Sequence, residues 1–108
     1  MNPTEKQIKE FWERCGFAHP TSIRGVKDPS GWWLYPESPT YAQFNPPKIN
    51  LNNLFKYAMP KVYSWTMGSS FPNHQETLAL VNYNNKCGEA VNLDPTLALF
   101  WAIWEVIH

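Results

Sequence analysis

At 108 residues the chain is long enough for one domain with a single core and too short for two. Nine basic residues balance nine acidic ones. That balance argues against a duplex-binding protein, whose basic face must displace counterions, and equally against an acidic mimic of DNA.

Aromatic residues make up 16% of the chain and include six Trp, more large rings than so short a chain readily hides alone. The composition therefore points to self-association or to an aromatic-lined ligand site. Two cysteines, Cys15 and Cys87, do not make a disulfide framework, and no signal peptide precedes the first helical stretch, so a reduced, intracellular protein is expected.

The chain opens with a helix over residues 3–15. Asn2-Pro3-Thr4-Glu5 reads as an N-cap, a proline in the first turn and a Glu placed to bond back. Ile8, Phe11, Trp12 and Cys15 recur at helical spacing, while Glu5, Lys6, Lys9, Glu10 and Glu13 face water, and Gly16 is a left-handed stop. Two prolines, Gly25 and the Asp28-Pro29-Ser30-Gly31 turn make residues 18–30 a loop. Trp32-Trp33-Leu34-Tyr35 reads as a short strand ended by Pro36. The segment 36–47, with four prolines, is expected to cross the surface in extended form without pairing.

Asn50 caps a second helix over 51–59, in which Leu51, Leu54, Phe55, Ala58 and Met59 recur at three- and four-residue steps. Pro60 cannot donate to the Lys56 carbonyl, so this helix kinks or ends there. Strand-like runs follow at 62–67, 77–83 and 87–92, the last two joined by Asn84-Asn85-Lys86, which is hairpin chemistry.

The final helix, 95–107, is capped by Asp94 with Pro95 at its first position. After Thr96 only Glu105 interrupts its apolar run. Leu97, Phe100, Trp101 and Trp104 form one stripe, and Leu99, Ile103 and Val106 carry it around the cylinder. The run falls short of the roughly 20 residues that span a bilayer. Such a helix must be covered on more than one side. Its own sheet and a second copy of the chain are the expected covers, with Trp101 or Val106 as the outward positions. The order α, β, α, β, β, β, α predicts a single α+β domain over 1–108, an antiparallel β-sheet packed with helices.

Ile49-Asn-Leu-Asn-Asn-Leu-Phe-Lys-Tyr-Ala-Met-Pro-Lys61, the earlier Trp33-x-x-Pro36, and Asp94-Pro-Thr-Leu-Ala98 at the start of the last helix resemble the phage ABA sandwich domains. These are small proteins of phages and prophages, and the likeness runs in order over about residues 7–107. The resemblance implies a sheet sandwiched between helices, a viral origin, no established reaction, and action on host defence in the cytoplasm of the infected bacterium.

Catalytic and metal constellations are sparse. His19, His74 and His108 are scattered. Cys15 and His19 lie four apart without an evident acidic partner, so Cys15 reads as core and His19 as a loop residue. Neither zinc-like spacing, closely spaced carboxylates nor a phosphate-binding glycine loop is present, so no cofactor, no metal and no enzyme activity are expected.

The positive hint is a set of rings and cations. Arg24 and Lys27 precede Trp32 and Trp33, and Tyr57 and Lys61 lie in the second helix. Bases stack on aromatic faces while Arg and Lys neutralise phosphates. Strand alternation turns one of Trp32 and Trp33 into the core, so the same residues can equally be structural. These features support a non-catalytic anti-defence protein that sequesters a small nucleotide, of cyclic-nucleotide or ADP-ribose type, as a homo-oligomer assembled through the C-terminal helix. Duplex nucleic acid and membranes are not expected partners. A protein-binding inhibitor of a host defence enzyme or nuclease, and a small signal-degrading hydrolase, are the alternative readings.

Overall fold

A computed structural model describes residues 2–37, 42–62, 64–69 and 76–107. The first helix, α1, spans Glu5–Arg14. Its cap is Thr4 rather than Asn2. The Thr4 hydroxyl accepts from the Gln7 N–H at 3.1 Å, and the Gln7 carbonyl oxygen accepts from the Thr4 N–H at 2.9 Å. The box closes two residues later than the Asn2-to-Glu5 spacing suggests, and Glu5 instead sits in the first turn, where the helix dipole favours an anion.

Trp33–Leu34 forms β1, and its partner is a correction to the sequence reading. Ala42–Gln43, inside the segment expected to stay unpaired, forms β2 antiparallel to it, with Trp33 opposite Gln43 and Leu34 opposite Ala42. The prolines at 46 and 47 lie beyond these two residues, so none has to supply a ladder N–H.

The second helix is continuous but changes pitch: α-helical over Leu51–Asn53, π-helical over Leu54–Ala58 and 3₁₀ over Met59–Lys61, here together called α2. Pro60 has no N–H for the Lys56 carbonyl. The chain accommodates it by widening, with the Met59 N–H reaching back to the Leu54 carbonyl, and then tightening, with the Val62 N–H on the Met59 carbonyl. The wide turn buries Leu54, Tyr57, Ala58 and Met59 together.

Strands β3 (Ser64–Ser69), β4 (Thr77–Tyr83) and β5 (Lys86–Asn92) form one antiparallel sheet in that order. The β4–β5 hairpin turns at Asn84 and Asn85, both with positive φ (49° and 66°), as a two-residue primed turn requires. Ala79 and Val81 face inward, while Leu78 and Leu80 alternate to the other face, which no described helix covers.

Helix α3, Pro95–Ile107, starts on Asp94, whose carboxylate accepts from the Thr96 N–H at 2.8 Å. It is the middle layer. Strands β4 and β5 pack on one side of it and α1 and α2 on the other, with the Phe11 ring 4.5 Å from that of Phe100. Ala98, Leu99, Phe100, Ala102, Ile103 and Val106 are buried by the chain's own elements. Leu97, Trp101, Trp104 and Ile107 on the same helix are only partly buried. Val106, an outward position in the sequence reading, is 2% exposed and lies against Gly88 of β5. No described helix is long and apolar enough to cross a membrane.

Candidate functional site: a groove between two helix N-termini

The segment before α2 is held over α1 by two buried aromatic side chains. The Trp12 indole N–H donates to the Pro47 carbonyl at 2.8 Å, and the Tyr35 hydroxyl donates to the Asn45 carbonyl at 2.9 Å. Both rings belong to a cluster of tilted and edge-on contacts with Phe17 and Tyr57. This pinning leaves a groove of about 760 Å³ between the segment, the start of α1 and the start of α3. That volume lies within the range typical of small-molecule sites.

The groove has an apolar lining of Ile8, Trp33, Phe44, Ile49 and Leu97, with Lys9, Lys48, Glu5 and Asp94 among its charged residues. None of these four charges is in an ion pair among the described residues. Trp33 is 1% exposed, and its indole N–H has no hydrogen-bond partner among the described residues. A buried orphan donor costs about 1–3 kcal/mol, so it needs a reason. Phe44, in contrast, is 60% exposed, and its ring lies against Gly31, where an added Cβ would sit 3.4 Å away. The Phe44 ring also meets Trp32 edge-on, with centroids 5.5 Å apart. Trp32 in turn lines a second depression of about 360 Å³ with Arg24, Ile23 and Ala42. The two rings form a link between the depressions, with Lys9 and Lys48 on one side and Arg24 on the other.

Of the six residues singled out from sequence, the structure brings Arg24 and Trp32 together and puts Trp33 in the adjoining groove. Lys27 is exposed in the loop and lines neither depression. Tyr57 is in the aromatic core, its hydroxyl donating to the Glu37 carboxylate at 2.5 Å. This bond, aided by Lys56, holds Glu37 below the usual carboxylate range, while burial and the same bond push the Tyr57 hydroxyl up. Lys61 extends past Gly16 at the C-terminal end of α1, away from the groove. Phe44, Lys9 and Lys48 escaped sequence reasoning. The one signal for Phe44 is a large ring stranded between polar residues before a double proline.

Cys15 is buried, and desolvation pushes its thiol up to about 12 against a small opposing effect of Lys61, so it is a thiol rather than a thiolate at neutral pH. His19 does have an acidic partner: Glu13 accepts at 3.1 Å from one ring nitrogen, while the other lies 2.8 Å from the Trp32 carbonyl. The pair ties α1 to the loop. His74 and His108 lie outside the described residues. Among the described residues no three His, Cys, Asp or Glu side chains are grouped to hold a metal. No family model, no curated protein and no solved structure matches this chain.

Proposed function

We propose that this is a phage-encoded, non-catalytic protein that sequesters a small nucleotide signal of host defence. The ligand lies along the groove and over the Phe44–Trp32 link. The observation that carries the reading is a groove of about 760 Å³ in which the exposed ring of Phe44 stands beside Lys9 and Lys48. Phe44 and Trp32 offer faces for stacking, and Lys9, Lys48 and Arg24 neutralise phosphates. The two helix N-termini at the groove add positive potential. The phage setting rests on the resemblance of residues 49–61 and 94–98 to the ABA sandwich domains.

The test is thermal unfolding of the protein with cyclic dinucleotides and cyclic ADP-ribose isomers, followed by heating to recover the ligand. An upward shift with intact ligand released supports sequestration. Altered nucleotide moves the assignment to a hydrolase, and no shift with any nucleotide removes the reading. Phe44→Ala should weaken binding by about 1–3 kcal/mol, roughly 5- to 150-fold, the usual value of one stacked base.

One observation favours a second reading, a protein-binding inhibitor. Phe55 and Trp65 are exposed and meet edge-on with centroids 5.0 Å apart, and paired exposed rings are common interface anchors. A host protein that co-purifies with wild type but not with Trp65→Ser would support it.

A further inference from the structure

The three-stranded sheet has two edges, and among the described residues a side chain reaches over only one of them. In the β4–β5 hairpin, hydrogen-bonded pairs alternate along the strands from Tyr83 and Lys86, which flank the two-residue turn. Glu89, opposite Leu80, therefore turns its N–H out of the sheet, and the Glu105 carboxylate of α3 accepts from it at 3.3 Å. The same alternation carried across β4 turns the backbone of Ser64, Thr66 and Gly68 toward Asn82, Leu80 and Leu78. The N–H and carbonyl groups of Trp65, Met67 and Ser69 then point outward from the opposite edge. Among the described residues these six groups have no hydrogen-bond partner. No described element but β4 packs along β3, apart from the Phe55 ring against Trp65.

An open edge strand is a template for pairing, and proteins that stay apart block it with charge, proline or a bulge. The β3 strand, Ser-Trp-Thr-Met-Gly-Ser, has none of these, and its register with β4 is unbroken over all six residues. Neither β3 nor β4 contains a charged residue, so this edge holds nothing to attract a charged strand or to repel its own copy. The outward positions are also evenly spaced about Met67, which makes β3 complementary to itself when run antiparallel. A two-fold axis there sets Met67 opposite the partner's Met67 and Trp65 opposite the partner's Ser69, and the strands exchange six hydrogen bonds. A large ring thus faces a small side chain in both halves, with the partner's Met67 on the diagonal within reach of the indole. Trp65 is 48% exposed in the single chain, and Ser69 is exposed too, so the ring has area to cover and room in which to cover it.

We infer that β3 pairs with β3 of a second copy, antiparallel about Met67, joining two three-stranded sheets into one of six strands. None of the residues lining the nucleotide groove belongs to β3, so this interface does not depend on that reading.

The experiment combines sedimentation of the purified chain, from about 1 µM to about 1 mM, with amide hydrogen exchange followed residue by residue. The expected result is a monomer–dimer equilibrium in which the Trp65, Met67 and Ser69 amides exchange more slowly as concentration rises. Those of Thr66 and Gly68, already bonded to β4, should change little. Ser69→Pro removes an outward N–H without touching the ladder to β4, a placement that an edge strand tolerates. It deletes two of the six bonds and should raise the dimer dissociation constant at least about tenfold, with monomer melting little changed. Met67→Lys sets like charges opposite each other on the axis and should have the same effect, which keeps the test open if proline disturbs folding. A monomer throughout the range overturns the inference. So does a dimer whose affinity and exchange pattern survive both substitutions, or protection of the three amides only when a strand of another protein is supplied.

Discussion

Gly88→Ala tests the central packing of the fold. Gly88 is the buried residue of β5 facing α3, and a Cβ built there falls 2.0 Å from the Ala102 carbonyl oxygen and 2.9 Å from a Val106 methyl. An ordinary carbon–oxygen contact is about 3.3 Å, so the helix must retreat by about 1.3 Å at this point. The oxygen belongs to the backbone and cannot rotate away. A gap of that size forfeits up to about half of the dispersion energy of each contact it opens, and α3 there packs with Ala98, Ala102 and Val106 against the sheet that holds Ala79 and Val81. Overpacking alone costs about 1–3 kcal/mol, and with the opened contacts the total is about 3 kcal/mol or more. In a domain of this size that lowers the melting temperature by on the order of 15 °C. Gly68 of β3 is the control, since nothing lies within 4 Å of a Cβ built there. Gly68→Ala should be neutral or stabilising by about 0.5–1 kcal/mol, because the unfolded chain loses freedom. Urea and thermal unfolding followed by circular dichroism measure both variants. If Gly88→Ala is as stable as wild type, the helix does not sit on β5 as described.

Val106→Glu should abolish cooperative melting rather than yield a folded monomer, since it buries an unpaired charge at a cost of at least about 3 kcal/mol; light scattering with circular dichroism distinguishes the two outcomes. At pH 8 an aromatic disulfide reagent should titrate only exposed Cys87, with Cys15, its thiol raised to about 12, reacting only after denaturation. Asn85→Gly should raise stability by about 0.5 kcal/mol, because φ at this position is positive and glycine adopts it without strain; chemical unfolding gives the sign. The folded-state pKa of Glu37 is depressed, chiefly by the Tyr57 hydroxyl, so its contribution is present above the ordinary carboxylate value and lost as pH falls through the folded value. Tyr57→Phe should therefore flatten the acid side of the stability profile.

The elements legible in the sequence are those whose causes are local. Asp94 and Pro95 start α3 where expected, Asn84-Asn85 turns the hairpin, and Pro60 disturbs α2 at the residue that needs its missing N–H. What the sequence did not reveal depends on partners far along the chain. Nothing near Trp12 says that its indole will hold Pro47, 35 residues away, yet that bond shapes the groove. Alternation allowed either Trp32 or Trp33 to turn inward, and only packing against the core selects Trp33. Thr4 takes the cap from Asn2 because its hydroxyl and the Gln7 amide satisfy each other, a pairing as good by spacing as the one between Asn2 and Glu5. Arg24 and Lys27 were grouped with the rings that follow them, and Tyr57 and Lys61 with the second helix, but α2 turns Tyr57 into the core and carries Lys61 to the C-terminal end of α1.

The position of α3 explains why an all-round apolar helix can also carry function. A helix with a wet face fluctuates on that side, whereas α3 is clamped between the sheet and the other helices, so groups at its rim are held by a rigid rod. Its N-terminal turn, through Thr96 and Leu97, forms part of the groove that Trp33 and Phe44 also line. The helix dipole has the same polarity as these surroundings. Its positive end lies at the groove that Lys9 and Lys48 also line, so an anion bound there acts with the dipole rather than against it.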